Sequence, residues 1–83
     1  MNIYVGNLDF QVDENDLNGI FKPYGDVKEV KIITDKYSGR SKGYAFVVME
    51  DDKAAAQAID ELNGTTLANR KITVNEARPR KQF

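Results

Sequence analysis

At 83 residues the chain is one domain's worth and sits near the size at which a single core only just outweighs chain entropy. It contains neither cysteine nor histidine, which excludes disulfide frameworks, thiolate and imidazole metal sites, and every catalytic arrangement built on a histidine base. A formal net charge of −1 falls short of the basic balance that would by itself announce a polyanionic ligand, so the placement of charge along the chain carries the information.

Ile3, Val5 and Leu8, with Tyr4 between the first two, predict a short strand ended by the turn pair Gly6-Asn7. Asp13 then stands as an N-cap with Asp16 in a box-like position. Leu17, Ile20 and Phe21 follow at helical spacing until Pro23 and Gly25 stop the helix, with Tyr24 expected to pack beside Pro23. Val27, Val30 and Ile32 mark a second strand, and the spacing from Val27 to Val30 breaks alternation in the way a bulge does. Thr34 to Ser41, "TDKYSGRS", is a polar loop whose Tyr37 either adds to a binding surface or decorates the loop. Lys42 to Met49, "KGYAFVVM", is a third strand. Asp51 or Asp52 caps a second helix with Ala55, Ala58, Ile59 and Leu62 on one face, closed by Asn63-Gly64. Ile72 and Val74, alternating with Lys71, Thr73 and Asn75, give a last strand, after which only "RPRKQF" remains.

Strand, helix, strand, strand, helix, strand is the pattern of an α+β, ferredoxin-like split βαβ (βαββαβ) sandwich, with a four-stranded antiparallel sheet and two helices on one face. A single domain over residues 1–78 with a short basic tail over 79–83 is expected. The longest apolar run, Tyr44 to Met49, is far too short for a membrane span, so a soluble, cytoplasmic protein is expected; nothing in the sequence suggests an obligate dimer, and a monomer is expected.

Two helices cover only one face of such a sheet, and strand parity says which. Ile3 and Val5, Gly43 through Met49 in alternate steps, and Ile72 with Val74 form classes that are apolar or small throughout. The opposite classes carry Asn2 and Tyr4; Lys42, Tyr44, Phe46 and Val48; Lys71, Thr73 and Asn75. The open face therefore receives Tyr4, Tyr44 and Phe46, and clustered aromatics on a wet surface mark a binding site. Charge segregates as well: from Asp9 to Glu29 six carboxylates oppose two lysines, whereas from Arg70 onward five cations oppose one glutamate.

"KGYAFVVM" resembles the octamer of the RNA recognition motif, [K/R]-G-[F/Y]-[G/A]-F-V-x-[F/Y], and "IYVGNL" (Ile3 to Leu8) resembles its companion hexamer. The resemblance runs from Asn2 to about Ala77, and the chain looks like the stand-alone RNA-binding proteins of bacteria. It implies that Tyr4 and Tyr44 stack successive bases, that Phe46 lies against a sugar or between nucleotides, and that Lys42 or Arg40 meets a phosphate. Asn75 and Asn2 either read base edges or are merely solvated, with Asn75 the stronger candidate. Lys31, Lys71, Arg78, Arg80 and Lys81 either meet phosphates or are ordinary surface cations. Met49 departs from the octamer's terminal aromatic, but its parity puts it in the core. The acidic sequence pI, near 5.3, also departs, and works against tight, salt-resistant binding.

The partner so implied is single-stranded RNA, with single-stranded DNA as the alternative and a role in post-transcriptional regulation or RNA chaperoning. No cofactor, metal or small-molecule substrate is expected. A protein-interaction module using the helical face is the competing reading, disfavoured because all three aromatic positions are filled. The split βαβ scaffold also carries small hydrolases such as acylphosphatases, but without histidine, cysteine or a glycine-rich anion loop the chain offers no catalytic constellation, and a non-enzyme is expected.

Overall fold

The computed structural model describes residues 1–39 and 41–77. Its elements are β1 (Asn2–Gly6), α1 (Glu14–Phe21), a 3₁₀ turn (Lys22–Tyr24), β2 (Val27–Thr34), β3 (Ser41–Met49), α2 (Asp52–Leu62), β4 (Thr66–Leu67), β5 (Arg70–Lys71) and β6 (Thr73–Glu76). Four of the strands form one antiparallel sheet in the order β2-β3-β1-β6, so β1 and β3 are central.

The helix starts follow local rules. Asp13 accepts from the Asp16 amide at 2.9 Å while the Asp16 carboxylate accepts from the Asp13 amide at 3.1 Å, a reciprocal capping box. For α2 the cap is Asp51, whose Oδ1 accepts from the Lys53 and Ala54 amides. Pro23 ends α1 by moving the chain into the 3₁₀ turn, and Tyr24 reaches across to α2, where its hydroxyl donates to Glu61 at 3.0 Å.

Leu17 and Phe21 of α1 and Ala54, Ala55 and Ala58 of α2 share one buried cluster with Ile3, Val5, Ala45, Val47, Met49, Ile72 and Val74. Both helices therefore lie on the same side of the sheet, α1 against β2 and α2 against β6. Among the described residues no polar or charged side chain is buried, so the core is held by apolar area alone.

Two irregularities tune the sheet. Val27 pairs with Met49 but Glu29 with Val48, so β2 carries one surplus residue there. This is the bulge that the Val27 to Val30 spacing predicts, and it brings Val27, Val30 and Ile32 onto the covered face. The last strand differs from expectation. Ala68 and Asn69 both take left-handed backbone, at φ 52° and 70°, and reverse the chain so that Arg70 and Lys71 pair with Leu67 and Thr66. Lys71 thus belongs to a small separate hairpin and β6 begins at Thr73. The outer side of β6 is taken up by the segment after α2: Asn63 Oδ1 accepts from the Val74 amide, the Gly64 amide donates to the Ile72 carbonyl, and the Ile72 amide donates to Thr65.

Candidate nucleic-acid interface

On the open face, strand register builds a row across the whole sheet. Lys31 of β2 stands beside Phe46 of β3, Phe46 beside Tyr4 of β1, and Tyr4 beside Asn75 of β6. One step toward the other end, Tyr44 stands opposite Gly6 and Gly6 opposite Thr73; one step back, Asn2 stands opposite Val48. Tyr4, Tyr44 and Phe46 form a closed triangle. Ring centroids lie 6.0 Å apart for Tyr4 with Tyr44 and with Phe46, and 6.1 Å apart for Tyr44 with Phe46. The two tyrosine rings are tilted by only 32°, while Phe46 stands edge-on to Tyr44 at 85°. The rings shield one another, so each is half-buried rather than fully exposed.

Gly6 sets the attitude of Tyr4. The Tyr4 ring lies back over the Gly6 backbone, where a Cβ would fall 2.7 Å from two ring carbons. Only a residue without a side chain lets the ring settle there, two places from its own Cα on the same face.

Electrostatics separates the two ends of the fold. Near the start of α2, Lys28 donates to Glu50 at 2.6 Å; this hydrogen bond and the opposing charge hold the Glu50 carboxyl below, and the Lys28 ammonium above, their ordinary ranges. The cations of the open face and of the β4–β5 hairpin stand otherwise: among the described residues Lys31, Arg70 and Lys71 have no carboxylate within ion-pair distance. A polyanion meeting these three cations displaces no carboxylate from them.

Of the residues the sequence singled out, Tyr4, Phe46, Asn75 and Lys31 share one row, and Tyr44 and Asn2 occupy the flanking rows of the same face. Lys71 is exposed on the small hairpin, where its carbonyl accepts from the Asn7 amide group at 2.6 Å. Arg40, Arg78 and Arg80 lie outside the described residues, as do Lys81 and the side chain of Lys42. Sequence reading missed Phe10 and Arg70. Both border a shallow depression beside Tyr4 and Tyr44 that is completed by Asn7, Leu8 and Gly43. The only signal for Phe10 was a large apolar residue in a stretch with no helical or strand period. No group of acidic residues among those described is arranged to hold a metal, and no helix there is long and apolar enough to cross a membrane.

The sequence model of the RNA recognition motif matches residues 3–73, and the chain belongs to the RNA recognition motif family. It is 46% identical over 80 residues to RbpD of Nostoc sp., whose name gives RNA binding as a provisional assignment, covering 96% of this chain and 85% of that protein. Among solved structures, the RNA-binding protein PG1 superposes with a TM-score of 0.92 at 48% identity, covering 99% of both chains. The Sxl-lethal protein, solved as a complex with RNA, superposes at 0.90 with 32% identity, covering 98% of this chain and 48% of that one. The ferredoxin-like α+β architecture is thereby established.

Proposed function

We propose that the chain binds single-stranded RNA across the open face of its sheet, as a monomer in the cytoplasm, and acts in post-transcriptional regulation or RNA chaperoning rather than as an enzyme. The observation that carries this reading is the triangle of half-exposed rings at the centre of a face bordered by cations that, among the described residues, have no carboxylate partner. Every base has a π face, so such a platform holds unpaired nucleotides at about 1 to 3 kcal/mol per stacked base with little regard to sequence. A duplex hides those faces. Tyr4 and Tyr44 are the stacking platforms, Phe46 lies against the sugar or between nucleotides, Asn75 and Asn2 face base edges, and Lys31, Lys71 and Lys42 supply phosphate contacts together with Arg40, Arg78 and Arg80. The homologues named for RNA binding and the relative solved with RNA support the same ligand class.

An amide chemical-shift titration tests this, using a pool of short random single-stranded RNAs, the matching DNA pool, a duplex control and two salt concentrations. Shifts at Tyr4, Tyr44 to Phe46 and β6, weakened by salt and absent with duplex, are the expected result. Equal shifts with the DNA pool would remove the preference for ribose. Shifts confined to α1 and α2, or none at all, would overturn the sheet-face assignment.

A further inference from the structure

The sheet face ends at the last residue of β1, yet the apolar surface does not. Phe10 is 65% exposed, one of only two large hydrophobic residues so exposed among those described. Its display is built in. Leu8 and Val12 on either side are buried, at 5% and 4% exposure, and pin the segment to the core. The Asp9 carboxylate accepts from the Gln11 amide at 2.9 Å and the Asp9 carbonyl from the Val12 amide at 3.0 Å, closing a turn with Phe10 at its outer corner. The Leu8 amide donates to the Gly43 carbonyl at 2.9 Å, tying the turn to β3 just before Tyr44. A turn fixed at so many points that still holds an aromatic ring in water is a presentation device.

Across the depression stands Arg70. One guanidinium nitrogen donates to Asn7 Oδ1 at 2.8 Å, and Asn7 in turn donates to the Lys71 carbonyl at 2.6 Å, so the amide is a bracket between the end of β1 and the hairpin. Asn7 takes left-handed backbone at φ 57°, which asparagine tolerates better than most residues. Among the described residues Arg70 has no carboxylate partner, and a guanidinium keeps further donors in a rigid fork once one nitrogen is engaged.

We infer that the β1–α1 turn and the β4–β5 hairpin form a further nucleotide subsite beyond the sheet, in which Phe10 stacks a base and Arg70, aimed by Asn7, holds the adjoining phosphate. The inference rests on the RNA-binding reading above and lengthens its footprint. Asn7 is a positioning residue, and the subsite is filled only by a strand long enough to run past Tyr4 and Tyr44.

The test compares end-labelled random RNA pools of about three and about six nucleotides by fluorescence anisotropy, the shorter just spanning the sheet platforms. Phe10→Ala is expected to weaken binding of the longer pool about tenfold and to leave the shorter pool unchanged. Arg70→Gln is expected to do the same while lowering the salt slope of the longer pool by about one. Asn7→Gly, compatible with the left-handed backbone, should reproduce part of the Arg70→Gln loss, again only on the longer pool, whereas a merely structural role would affect both pools. Equal losses on both pools, or none on either, overturn the subsite while leaving the sheet platform standing. If the wild-type protein binds neither pool, the RNA reading itself falls and the subsite with it.

Discussion

Phe46 and Val47 are adjacent on one strand and belong to different chemistries. Val47 faces the helices, is fully buried, and shares its surroundings with Ile3, Val5, Ala45 and Met49. Phe46 faces outward, touches two other rings and stands in register with Lys31 on one side and Tyr4 on the other. The covered face has no polar group to satisfy; the open face has rings that neither solvent nor protein fully covers. Strand parity lets one nine-residue segment hold the fold and present the ligand surface, and the two duties are separable by mutation because they never share a side chain.

That separation is the thing to break. Replacing Tyr44 and Phe46 together by alanine should lower RNA affinity about a hundredfold or more, since two platforms are lost. Urea melts of the same variant should show a loss of only about 1 kcal/mol, from the ring-to-ring contacts. Val47→Ala should invert the pattern, destabilising by about 1 to 2 kcal/mol through the cavity it leaves and leaving affinity unchanged. A melt showing the opposite ordering would mean that the faces are misassigned. Gly6→Ala sharpens the comparison, because the added Cβ collides with the far end of a flexible side chain: thermal stability should stay near wild type while the displaced Tyr4 ring costs severalfold in affinity. The smallest effect belongs to the surface pair at the far end of the fold. With its carboxyl held below the ordinary range by Lys28, Glu50 contributes stability above its unfolded-state pKa and loses it as pH falls through the lowered folded value. Both side chains are largely exposed, so Glu50→Gln should show only a slightly flatter acid limb in melts from neutral to low pH, with RNA binding untouched.

What the sequence made legible was whatever repeats. Ile3 and Val5, Val47 and Met49, and Leu17 and Phe21 recur at strand or helix period, and from those recurrences followed the element order, the covered face, the open face and its three rings. The cap at Asp13 was legible, and the second was legible to within one residue, Asp51 or Asp52, because caps use short local rules. The β4–β5 hairpin was not, since two-residue strands have no period and its turn puts an alanine, Ala68, in left-handed backbone where glycine is the usual signal. Its consequence, moving Lys71 out of the last strand and Arg70 toward Asn7, was hidden for the same reason. Phe10 escaped because its exposure depends on a turn pinned by tertiary contacts at Leu8 and Val12, which no pattern within a window displays.

The rims of the sheet bear on how the protein behaves when crowded. An open antiparallel sheet has two free margins, each a template on which another chain can polymerise. Here β6 is four residues long, and the outward backbone groups of Val74 and of Ile72 just before the strand already bond to residues 63–65 of the same chain. At the opposite margin, the surplus residue in β2 breaks the regular hydrogen-bond ladder that a stacking strand would need. A protein that must keep a broad aromatic face uncovered for its ligand thereby denies its copies the backbone contacts through which such faces come to aggregate.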